Sequence, residues 1–131
     1  MKFIGIALHT NKFTCCYRDV RLSSSKNDGK ATETFALTVA GLADFYTTLT
    51  DDTYVLVEAT ITAFWFVRLF RDKVMEVIIA NTYELKQLSV ARCNTDKLDA
   101  DKLCRILKAQ VLSGEQLVSA VTLPPVEIQE L

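Results

Sequence analysis

The sequence predicts one α/β domain built on a single mixed five-stranded sheet with helices packed on it. Three observations carry this expectation. The first third alternates like strands joined by polar turns, two later runs are apolar without a break at strand length, and helical spacing lies between and after them. With 131 residues, half of them hydrophobic, the chain suits one real core rather than a disordered or disulfide-stapled peptide.

Taken in order, "KFIGIAL" at 2–8 reads as a buried strand and "KFTCCYRD" at 12–19 as its hairpin partner across "HTN". A polar loop, "SSSKNDGK", leads to "ATETFALT", where Thr32 and Thr34 alternate with Glu33, Phe35 and Leu37 as in a third strand. "VAGLADFYTTL" has helical spacing through Leu42, Phe45 and Leu49, and "TDDT" breaks it. "YVLVEA" at 54–59 reads as a central parallel strand, because its apolar run ends in a single acid. "TAFWFVRLFRDK" follows as a helix apolar almost all round, expected to be buried on more than one side. Within it Phe64, Trp65, Phe66 and Phe70 read as core, or as a packing surface for another domain or protomer, rather than a base-stacking platform. "EVIIAN" at 76–81 is a second short buried strand, "TYELKQLSVAR" a helix, and a longer helix runs from Thr95 to about Leu112, stopped near Ser113 and Gly114. An antiparallel meander followed by βαβ units is the element order of a ribonuclease-H-like domain. The tail "VSAVTLPPVEIQEL" reads as a linker and the first turns of another amphipathic helix. The expected division is therefore a domain over 1–112 and a linker with the start of a following helical region over 113–131.

Fifteen basic and sixteen acidic residues give a formal charge of −1, so no global field draws the chain to nucleic acid or an anionic membrane, and any such contact must be local. Arg68, Arg71 and Lys73 crowd one helix end, and Lys86, Arg92, Lys97 and Lys102 flank the last helix; phosphate contacts and solvated helix faces explain them equally well. Cys15, Cys16, Cys93 and Cys104 show neither a CxxC pair nor zinc spacing, so reduced, mostly buried thiols are expected. The N-terminus lacks a signal-peptide run and no segment reaches the ~18 apolar residues of a membrane span, which leads to a cytoplasmic expectation.

The chemistry concentrates in "NTDKLDADKL" at 94–103. At roughly 100° per residue and with Asp96 as zero, Ala100, Leu103, Cys104, Leu107 and Val111 fall between about −20° and +80°. Asp99 falls at about −60°, beside that apolar face, and Asp101 at about +140° with Arg105 and Lys108. Asp96 and Asp99 are thus expected to face inward and Asp101 to face water. First-turn acids also offset the helix dipole, and Asn94 or Thr95 is a fitting N-cap, so a structural role competes with a functional one. Glu58 ends the most apolar strand, where α/β sheets collect their chemistry, or else reaches solvent as a strand-end acid. Several carboxylates together suit Mg²⁺, and two such ions can stabilise the attacking and leaving oxygens of a phosphodiester. His9 lies just past the first strand, as a metal or acid partner or a turn histidine. The first strand itself, "FIGIALH", carries no carboxylate; Ala7 stands at the position alternating with Phe3 and Gly5.

With "FIGIALHTNK", "VLVEAT" and "VIIANTYELKQLSVARCNTDKLDADKL" placed in this order, the chain resembles the N-terminal domain of the DEDD-type insertion-sequence transposases, the family of the Piv invertase and the bridge-RNA-guided recombinases. The resemblance covers nearly the whole chain, and the T-D-x-x-D-A-x-x-L stretch is its most specific part. It implies a RuvC-like fold whose four acids hold Mg²⁺ for DNA strand cleavage and rejoining; those positions correspond to 7, Glu58, Asp96 and Asp99. Two departures stand out: Ala7 replaces the first Asp, and Ile61 stands where the family often has glycine. Loss of one charged ligand implies weakened or absent Mg²⁺ binding, through an engineered inactivation or a natural loss. The resemblance further implies DNA as a partner, a guide RNA in the full-length protein, a homo-oligomer, a bacterial cytoplasmic setting without a membrane, and a serine-bearing C-terminal domain beyond this chain. The alternative is a non-catalytic module of the same fold that grips nucleic acid or a partner.

Overall fold

In the computed structural model, residues 1–20, 30–80 and 96–115 are described. The helix expected over "TYELKQLSVAR", Cys93 and the tail from 116 lie outside them. Strands β1 (Lys2–Leu8), β2 (Lys12–Asp19) and β3 (Ala31–Ala36) form an antiparallel meander, as their turn-separated alternation predicts. Helix α1 (Val39–Thr47) starts where the Thr38 hydroxyl accepts the Gly41 N–H at 3.1 Å, an ordinary N-cap. The chain returns as β4 (Thr53–Glu58), parallel to β1, then passes through α2 (Ile61–Arg68), a 3₁₀ turn (Arg71–Lys73) and β5 (Glu76–Ala80), parallel to β4. Helix α3 (Asp96–Ser113) follows and ends at Gly114, whose φ of 75° is a left-handed stop that glycine adopts at no steric cost. The strand order is β3-β2-β1-β4-β5, a mixed five-stranded sheet with helices packed on it. None of the described helices is long and apolar enough to cross a membrane.

Alternation sorts the sheet residues onto two faces. Ile4 and Ile6 of β1, Phe13 and Cys15 of β2, and Val55 and Val57 of β4 join α1 and α2 in one core. Its centre is an aromatic cluster in which Phe13 packs on Phe45 and Phe66 with centroids 5.1 and 4.8 Å apart. Phe3 and Ala7 of β1, Cys16 of β2, Leu56 of β4, and Ile78 and Ala80 of β5 face the other way, against Ala100, Leu103, Cys104 and Leu107 of α3. The inward stripe of α3 is therefore the one its spacing predicts.

The segment 62–73 departs from expectation twice. It is not one helix, because the N–H groups of Leu69 and Phe70 bond to Phe66 and Val67, three residues back, which tightens the end and turns Phe70 into the aromatic core. Nor is it buried on several sides: Ala63, Phe66, Val67 and Phe70 are buried, but Trp65 is 65% and Leu69 57% exposed. Lys73 is a structural residue here, donating to the Tyr46 carbonyl at 2.9 Å while lying 3.9 Å over that residue's ring.

Gly5 sets how close α3 sits to the sheet. A Cβ at this position would lie 2.3 Å from both the Ala100 carbonyl oxygen and the Cys104 nitrogen, so any side chain there drives the helix backbone away from β1. Gly5→Ala is accordingly expected to cost about 3 kcal/mol through overpacking against backbone that cannot step aside, read as a lowered urea midpoint at unchanged slope.

Candidate functional site

The strands β1 and β4 are adjacent and parallel, so their carboxyl ends open on the same edge of the sheet. One residue past the paired Ile6 and Val57, Ala7 and Glu58 stand side by side on the face covered by α3. Helix α3 contributes Asp99 and Leu103 from above, and Thr60 closes the side while its hydroxyl caps α2 by accepting the Ala63 N–H at 3.0 Å. Together with Leu8 and His9 these residues line a cleft of about 70 Å³. Three positions singled out from the sequence, Ala7, Glu58 and Asp99, thus share one cleft, with His9 beside them. Asp96 opens α3, and its side chain lies outside the described residues.

Among the described residues, the donors lining this cleft are the carboxylates of the exposed Glu58 and the half-buried Asp99 and the imidazole of His9, while β1 contributes only an apolar methyl at position 7. Among the described residues, no three His, Cys, Asp or Glu side chains converge closely enough to hold a metal ion. Among the described residues the cleft thus offers a divalent cation fewer carboxylates than the four that the resemblance implies.

Asp101 corrects the sequence reading. Expected to face water, it is buried, with its Oδ1 accepting from Arg18 Nη2 at 2.6 Å and lying 3.3 Å from Lys30 Nζ, while Oδ2 is 3.1 Å from Arg105 Nη2. The reason is the breadth of the sheet beneath α3. The helix lies over both β1 and β2, so the arc it buries extends toward β2 further than its apolar stripe alone indicates. There Arg18 alternates with Cys16 on the same face and meets the carboxylate, with side chains only 10% and 11% exposed. The one available signal was the alternation of β2, which puts Arg18 on the face of Cys16; which acid it meets depends on the packing of α3.

Comparison with protein-family models and with curated proteins finds no match for this chain.

Burial alone would raise the Asp101 carboxyl, but the hydrogen bond and charge of Arg18, helped by Arg105 and Lys30, outweigh it and hold the group below the ordinary carboxylate value. The folded state therefore favours the ionised form. This stabilisation is fully present above about pH 4 and disappears as the pH falls through the depressed folded value. Asp101→Asn is expected to cost about 3 kcal/mol at neutral pH, by leaving Arg18 without its buried counter-charge, and to flatten the acid limb of stability against pH. Chemical denaturation from pH 7 to 2 checks both; an unchanged acid limb would show that other carboxylates carry the acid sensitivity.

Proposed function

We propose that this chain is the ribonuclease-H-like, RuvC-like N-terminal domain of a DEDD-type DNA transposase or recombinase, with its metal site disabled at position 7. Supporting the fold is the sheet itself: a three-strand antiparallel meander whose first strand lies centrally, extended on its other side by two parallel strands. The observation that carries the functional reading is the cleft in which Ala7, Glu58 and Asp99 meet at the carboxyl ends of β1 and β4. Those are three of the four positions at which the resemblance implies acids. Phosphodiester chemistry needs carboxylates gathered so that divalent cations can bridge them to phosphate oxygens. The present residues retain the shape of such a site without its full charge, so strand cleavage is assigned to the family's complete site and not to this chain alone. DNA is the proposed partner, with a guide RNA, homo-oligomer and C-terminal serine-bearing domain as properties of the full-length protein.

A second reading, a non-catalytic module that grips nucleic acid or a partner protomer, is favoured by the apolar Ala7 lining the cleft. The two readings diverge on restoring the acid. Ala7→Asp is expected to create a Mn²⁺ or Mg²⁺ site at least about tenfold tighter than the parent chain, because a third carboxylate joins Glu58 and Asp99 in the cleft. Adding Glu58→Gln to that variant should remove the gain. Isothermal titration calorimetry reads both, and no gain in affinity from a folded Ala7→Asp protein would sink the catalytic reading. For the binding module, Glu58→Gln in the full-length protein leaves recombination intact.

A further inference from the structure

On the sheet face covered by α3, two buried cysteines come together around Gly5. Cys16 is the cross-strand partner of Gly5, and the missing side chain of Gly5 is what admits Cys104, whose Cα would lie 2.9 Å from a Cβ built there. Both residues are fully buried in the same cluster on the α3 face, 88 positions apart in sequence (104 minus 16). Around Cys16 the surroundings are polar: Arg18 Nη1 donates to its sulfur at 3.6 Å, and the thiol donates to Asp101 Oδ1 at 3.7 Å. Cys104 donates to the Phe3 carbonyl at 3.3 Å. Cys15, one residue away, points into the opposite, aromatic core. Two buried thiols need no guanidinium to pack; a thiolate does.

We propose that Cys16 and Cys104 are a redox pair, with Cys16 the attacking thiol and Cys104 the resolving one, that closes to a disulfide tying α3 to β2 on exposure to a peroxide. The Cys16 proton leaves to solvent, and the thiolate sulfur, facing the Arg18 guanidinium, attacks one peroxide oxygen. The O–O bond breaks, the leaving oxygen takes up a proton to become water or an alcohol, and Cys16 becomes a sulfenic acid. The Cys104 sulfur then attacks the Cys16 sulfur, the S–O bond breaks, and the oxygen leaves as a second water with the Cys104 proton. Two thiols have lost two electrons in all, and the peroxide has gained them.

The division of roles follows from the surroundings. The neighbouring Cys104 thiol, opposed by burial and reinforced by the Arg18 charge, lowers the Cys16 thiol below its ordinary value. Interaction with Cys16, together with burial, pushes Cys104 up, so it stays a thiol until it resolves the sulfenic acid. Burial likewise pushes Cys15 well above the usual thiol range, which leaves it inert. Access runs through side chains rather than backbone. Exposure rises outward from the sulfurs through Arg18 and Asp101 to Lys30 and Arg105, at 39% and 65%, so the cover over the sulfurs on this side is made of charged side chains.

The test needs no variant to begin with. The intact 131-residue protein is treated with hydrogen peroxide, its remaining thiols are alkylated after unfolding, and a non-reducing digest is read by mass spectrometry. The expected product is a Cys16–Cys104 linked peptide that dithiothreitol reverses, with Cys16 lost at least about tenfold faster than Cys15. Cys104→Ser should instead accumulate a dimedone-trappable sulfenic acid on Cys16, and Cys16→Ser should leave Cys104 alkylatable. Linkage dominated by Cys15 or Cys93, or Cys16 and Cys104 still alkylatable when those two have reacted, would overturn the assignment.

Discussion

The approach of α3 to β1 at Gly5 is the contact on which the rest of the structure hangs. Helices usually rest on a sheet through side chains, which hold the two backbones apart. Here one strand position has no Cβ, and the Ala100 carbonyl and Cys104 nitrogen occupy the space it would fill. That descent has three consequences along one helix. Asp99 comes to the mouth of the cleft beside Ala7 and Glu58, Asp101 reaches Arg18, and Cys104 settles over Gly5, the cross-strand neighbour of Cys16. A helix riding even a methyl higher would loosen all three together.

The two faces of the sheet do different work. The α1 and α2 side is an aromatic core with Phe13, Phe45 and Phe66 interlocked at edge-to-face and stacked geometry, which supplies burial and little chemistry. The α3 side holds the buried ion cluster, the thiol pair and the cleft. Polar groups on this side are tolerated because they are partnered: one carboxylate satisfies three cations, and the most buried of these, Arg18, has the shortest contact. A rigid apolar layer beneath a polar one is a sound arrangement for holding strand ends in register.

How much of this could be read from the chain depends on the range of the physics involved. The five strands were legible because alternation and unbroken apolar runs are local patterns, and the observed bounds of β1 and β2 agree with them. The stripe of α3 was legible for the same reason, since Ala100, Leu103, Cys104 and Leu107 follow the helical period. The end of α2 was not, because the tightened turn at Leu69 and Phe70 answers to where Phe45 and Phe66 sit. In the cleft, Glu58 and position 7 could be placed from strand order and alternation, and Asp99 from helical phase.

The sequence by itself determined which residues share a face: Ala7 with Gly5 and Phe3, Arg18 with Cys16, and Asp99 at the edge of an apolar stripe. Periodicity carries that much, because each residue's direction depends on its own few neighbours. Only the tertiary structure decided which faces meet and how closely. Asp101 was assigned to water from helical phase alone, yet Arg18, 83 residues earlier, receives it. No local pattern records that partner. It follows from the helix settling over two strands rather than one, and from a glycine that lets it settle.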